Sequence, residues 1–203
     1  MPEHSSMHFY LNWTKERIDE MDATLASLEA KASQLRADTQ VKAGQLREDL
    51  QRRRDAFQDT IKKHADAGQA WERTKKELEP RWNEFEAHVK TYIDTVGKQI
   101  EQQQATFRDV AAAQMKAWRE IADSLNEAAA KASAARRAEI ELAAKHMRAG
   151  ASEVEARMKK LQQAGKESWQ ALSEALAESR KAFDRAHQAA WDAFKRAAAA
   201  PKA

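Results

Sequence analysis

The chain has 203 residues, 33% of them charged, with only 5 Gly, 3 Pro and no Cys. So few Gly and Pro cannot close the turns of a sheet protein, and the lack of Cys excludes disulfides, thiolate metal sites and cysteine nucleophiles. Thirty-five Lys and Arg against 32 Asp and Glu leave a net charge of +3, too balanced for a nucleic-acid footprint.

Ala, Glu, Lys, Arg, Gln and Leu dominate, which are strong helix formers, so the expected fold is all-α. Residues 1–8 read as a flexible tail, with no basic or apolar leader pattern. Phe9, Tyr10 and Trp13 then form an aromatic cluster. Trp13 stands off the main apolar line, so it either covers one end of a bundle or is an exposed contact for another protein.

Over 9–79 the apolar residues recur in alternating steps of three and four. Leu11, Thr14, Ile18, Met21, Leu25 and Leu28 begin the stripe, and Leu46, Leu50, Phe57 and Ile61 resume it after a weak passage near Thr39, Ala43 and Gly44. This is the heptad period of a left-handed coiled coil. Arg53 and His64 fall in the stripe, where a polar residue sets register. The run Arg52-Arg53-Arg54 is flanked by Asp49 and Asp55 and reads as a solvated face.

From Trp71 the period lengthens. Phe85, Val96, Phe107 and Trp118 stand eleven apart, as do Leu161, Leu172, Phe183 and Phe194. Trp82 belongs to a parallel row. Eleven residues make three turns at roughly 3.67 residues per turn, a seam with little or right-handed supercoil. Two breaks are expected. Pro80 removes a helical donor. Gly150 has the character of a C-cap, and Ser152 with Glu155 forms a capping box. These cuts give helices over 9–79, 81–149 and 152–198, with 199–203 as a fraying tail. The chain then folds back at Pro80, Gly150 or both, into an antiparallel hairpin or bundle. The alternative is a nearly continuous rod paired with other copies. A narrow apolar stripe obliges one or the other.

No catalytic constellation, phosphate loop or metal-binding pair is legible, so the expectation is a protein that is not an enzyme and has no cofactor and no metal. His4, His8, His64, His88, His146 and His187 are scattered. His4 and His8 have metal-compatible spacing, but in a tail. No window is long and apolar enough to span a membrane. The cytoplasm is the default location.

The segments FRDVAAAQMKAWREIADSLNEAAAKA and SWQALSEALAESRKAFDRAHQAAWDAFKRA resemble bacterial phasins, which coat polyester storage granules. The eleven-residue rhythm is similar to that of exchangeable apolipoproteins. The likeness covers roughly residues 105–198 and implies binding to a lipid or granule surface. Three functional expectations follow. The first is a structural scaffold that self-associates through the stripe as a homo-oligomer. The second is the surface binder that the resemblance implies. The third is an adaptor that meets another protein through Phe9, Tyr10 and Trp13.

Overall fold

A computed structural model describes residues 3–33, 35–66, 71–96, 100–130, 134–164 and 169–199. Apart from residues 33, 35, 36 and 96, the described residues are helical, in six helices of 25 to 31 residues and without a strand. They are α1 (Glu3–Ala32), α2 (Ala37–Asp66), α3 (Trp71–Thr95), α4 (Ile100–Ala130), α5 (Ala134–Ala164) and α6 (Trp169–Ala199).

Side-chain pairs give the direction of each helix. Arg54 and Arg47 of α2 meet Asp22 and Glu29 of α1, so the higher number meets the lower and the two run antiparallel. Arg53–Glu84 and His64–Glu77 set α2 against α3 in the same sense. Arg119–Glu155 and Arg148–Asp123 do so for α4 and α5, and Arg196–Glu139 for α5 and α6. Lys15–Glu120 and Ser27–Thr106 place α1 antiparallel to α4. Gln103 meets Trp169, and Trp118 meets Phe183, so α4 and α6 run parallel. The helices thus alternate in direction and form a bundle. Contacts between residues 171 apart, such as Trp13–Asp184, are incompatible with the single rod.

The expected breaks are corrected. Pro80 lies inside α3 and Gly150 inside α5, and the chain turns back at other places. Pro80 and Lys76 are both exposed, so water can reach the carbonyl left without its helical donor. Gly150 is a mid-helix residue that admits the Trp118 indole against the helix. The Ser152 hydroxyl donates to the Arg148 carbonyl, 3.1 Å away and one turn back, which is the bond of a residue within a helix and not of a cap. At the amino end, α1 begins at Glu3, within the stretch expected as a tail.

The stripe lies in the core. Leu25, Leu28, Leu50 and Phe57 are buried, as are Trp82, Phe85 and Val96. Phe107, Trp118, Leu172 and Phe183 are also buried, while Ile18, Leu46, Ile61 and Leu161 are half-buried against them. The side chains of Leu11, Trp71 and Phe194 are outside the described residues. The eleven-residue rows pass from one helix to the next: Phe85 lies in α3 and Val96 just beyond its end, while Phe107 and Trp118 belong to α4. They are therefore not the seam of one continuous helix. Among the described residues, the large apolar side chains left exposed are Val41 and Leu142.

Candidate functional site: a buried charged junction

The helix α1 is buried on two faces, because α2, α3, α4 and α6 all pack on it. One face is the apolar line through Met21, Leu25 and Leu28. The other carries Trp13, Arg17, Glu20, Thr24 and Ser27, again in steps of four and three, and all five are buried. A polar stripe with core periodicity needs polar partners. It finds them on α4, where Gln114 and Thr106 are buried, and on α6, where Arg180 is buried and Asp184 half-buried.

The centre of this face is a network. Both carboxylate oxygens of Asp184 accept from Arg17, at 2.9 and 3.0 Å, and one also accepts from the Trp13 indole at 2.8 Å. Arg17 also pairs with its neighbour Glu16. One turn further along, Arg180 bridges Glu20 of α1 and Glu86 of α3. Gln114 donates to Glu20 at 2.8 Å and to the Leu176 carbonyl at 3.3 Å. The guanidinium of Arg17 lies 4.8 Å from the Trp13 ring centroid and 5.2 Å from that of Trp82, and Arg180 lies 5.0 Å from Trp82. Two indoles and two guanidiniums thus form one chain of cation–π contacts, worth more in a desolvated setting than at the surface.

Burial governs the protonation here. It raises the Glu16 carboxyl to about 7, despite the opposing Arg17 charge. The Glu16 Oε1 atom has no hydrogen-bond partner, as suits a neutral acid group. Glu20 is also raised by burial, against the pull of Arg180 and the hydrogen bond from Gln114. For Arg17, burial works against the charge but the carboxylates of Glu16, Asp184 and Glu20 outweigh it, so the guanidinium stays charged. Asp184 keeps the charge paired even when Glu16 is neutral.

Two clefts flank the bridge between α3 and α6. One of about 440 Å³ is bounded by Glu20, Trp82, Phe85, Glu86, Trp169 and Arg180. The other, about 230 Å³, reaches Trp13, Arg17, Lys181 and Asp184. Glu16 is among the lining of neither. Its shifted carboxyl is therefore sealed from any molecule in the clefts and acts on the stability of the junction.

The expected contact cluster is corrected at Trp13. Its side chain is 2% exposed and stacks near Phe57 at 6.5 Å, so it closes the α1–α2–α6 junction and is not an exposed contact. The side chains of Phe9 and Tyr10 are outside the described residues, as are those of His4 and His8. His64 lies 2.9 Å from Glu77, and His187 stacks on Phe183 at 5.8 Å. Arg52, Arg53 and Arg54 each pair with an acid: Asp49, Glu84 and Asp22. Among the described residues, no three His, Asp or Glu side chains are placed to hold a metal ion, and no helix is long and apolar enough to cross a membrane. Sequence reasoning passed over Arg17, Glu20, Gln114, Arg180 and Asp184. For Arg17 and Glu20 the available signal was the polar stripe of α1, while nothing local marked Gln114, Arg180 or Asp184.

The fold and site define a helical bundle whose first and last helices are joined by a buried ionic network. Comparison of the chain with protein-family models, curated proteins and solved structures finds no match.

Proposed function

We propose that the protein is a non-enzymatic structural protein that stores its apolar stripe inside the bundle and lays it on a hydrophobic surface when α1 parts from α6. The observation that carries this reading is the ionic character of that one junction. Separating apolar faces loses burial with no return. Separating Arg17 from Asp184 and Arg180 from Glu20 returns buried charges to water, which offsets much of the lost pairing. The contact between α1 and α6 is also sparse beside that of α1 with α4. The bundle therefore has a preferred line of opening.

The stripe is satisfied within one chain, so water alone does not oblige a second copy to cover it. A lipid or storage-granule surface supplies the missing incentive, in keeping with the phasin-like and apolipoprotein-like character of α4 and α6. Association of opened chains with one another is the scaffold form of the same behaviour. The adaptor reading loses one of its three aromatic contacts, since Trp13 is buried.

Flotation with vesicles or hydrophobic particles tests the proposal. The wild-type chain should float. A variant with a disulfide engineered across the α1–α6 contact should stay behind until reduced, a clean control in a chain without cysteine. Wild type that remains at the bottom of the gradient ends the surface reading. Light scattering without particles separates out self-association, which should be absent at micromolar concentration.

A further inference from the structure

A second feature lies on the other side of α6. The helices α5 and α6 leave a trough of about 390 Å³ between them. Its floor is Val154, Met158 and Leu161 from α5 and Ala175, Ser179 and Ala182 from α6. The α6 residues share one face and are all small, which is why the two helices do not close the space. Gly150 and Leu161, eleven residues apart on α5, mark its ends, a span of about 16 Å. The volume falls toward the lower end of small-molecule sites, roughly 300–1,000 Å³.

One polar atom on this floor is unexplained. Ser179 is 2% exposed, and its hydroxyl has no hydrogen-bond partner. A serine in a helix commonly donates to the carbonyl one turn back, as Ser152 does to Arg148. Ser179 does not, and a buried hydroxyl without a partner destabilises the protein. The rim has no net sign: Glu153, Glu174 and Glu178 face Arg157, Lys160 and Arg185. Arg157 is already held by Glu153, and Glu178 by Lys181. A charged ligand group placed beside Ser179 would lose its hydration on the apolar floor.

We propose that the α5–α6 trough binds a neutral, elongated aliphatic molecule with a single hydrogen-bond-accepting oxygen, a medium-chain ester being the type, and that the Ser179 hydroxyl donates to that oxygen. The length of the trough takes the chain, the apolar floor takes its methylenes, and the orphan hydroxyl fixes its register. This site does not depend on the opening of the α1–α6 junction, and the closed bundle holds it.

The test is a titration of the full chain in solution with methyl octanoate and, separately, with octanoate, read on the Met158 methyl resonance. Methyl octanoate should shift that resonance saturably, and octanoate should bind at least about tenfold more weakly. Ser179→Ala should move two quantities in opposite directions. The melting temperature of the unliganded protein should rise, because a buried polar atom without a partner is gone, while ester affinity should fall about fivefold to tenfold. Ala182→Leu should fill the trough and abolish binding, and if that variant does not fold, Ser179→Ala decides. The proposal is overturned if the wild type shows no saturable shift, if octanoate binds as well as the ester, or if Ser179→Ala leaves ester affinity unchanged.

Discussion

Gly150 of α5 lies against the indole of Trp118 in α4, so that a Cβ built on it would stand 2.8 Å from Cζ3 and 3.1 Å from Cη2. The indole cannot step aside, because Trp118 is fully buried and meets Phe183 edge-on at 5.3 Å. Gly150→Ala should therefore destabilise the bundle by about 1–3 kcal/mol, as overpacking does. Gly44, in α2, has nothing within 4 Å of the same position. There, Gly44→Ala should stabilise by roughly 0.5–1 kcal/mol through helix propensity alone. Denaturant melts of the two variants should thus shift in opposite directions.

Stability should fall as pH rises through neutrality. The carboxyl of Glu16 sits at about 7 in the fold against an ordinary 4.5, so between those values the native state holds a proton that the unfolded chain has released. Stability from this group is complete below the unfolded value and is lost as pH rises through the folded one. A shift of that size corresponds to roughly 3 kcal/mol. Arg17, Glu20 and Arg180 are the charged groups that act on it, and Glu20 is displaced in the same sense. Thermal melts from about pH 5 to pH 8.5 should show the decline. In Glu16→Gln the slope should largely vanish, with a higher melting temperature than wild type at the alkaline end.

Removal of Arg180 should be costly, and a paired replacement should not be. Arg180→Ala leaves Glu20 as a buried carboxylate with only Gln114 to satisfy it, at a cost of about 3–5 kcal/mol. Substitution of both partners, Glu20→Leu with Arg180→Met, removes the charges together and should recover most of that loss. A double-mutant cycle by chemical denaturation measures the coupling, and additivity of the two single effects would contradict the bridge.

Trp13 should behave as a core residue. Trp13→Ala removes its stacking on Phe57, its place over Arg17 and its donor to Asp184, so a loss of about 3–5 kcal/mol is expected. Trp13→Phe keeps the apolar body but leaves the Asp184 oxygen one donor short, so it should fall between alanine and wild type. Equal stability of all three would place the indole outside the junction.

The sequence by itself determined that the chain is helical and that it carries an apolar stripe in need of cover. Those depend on local propensity and on a period of three to four residues, and both are legible along a single strand of text. The positions of the turns were not legible. Pro80 and Gly150 carry the strongest local punctuation, yet both lie within helices. An exposed proline can leave its orphan carbonyl to water, and a glycine can be required by the breadth of an indole on another helix. The ionic junction was also hidden. Glu16, Arg17 and Glu20 look like the solvated side of any amphipathic helix until α6 brings Arg180 and Asp184 onto them from more than 150 residues away. Only the tertiary structure decides which charges lose their water, because desolvation depends on neighbours in space, and sequence separation does not encode it.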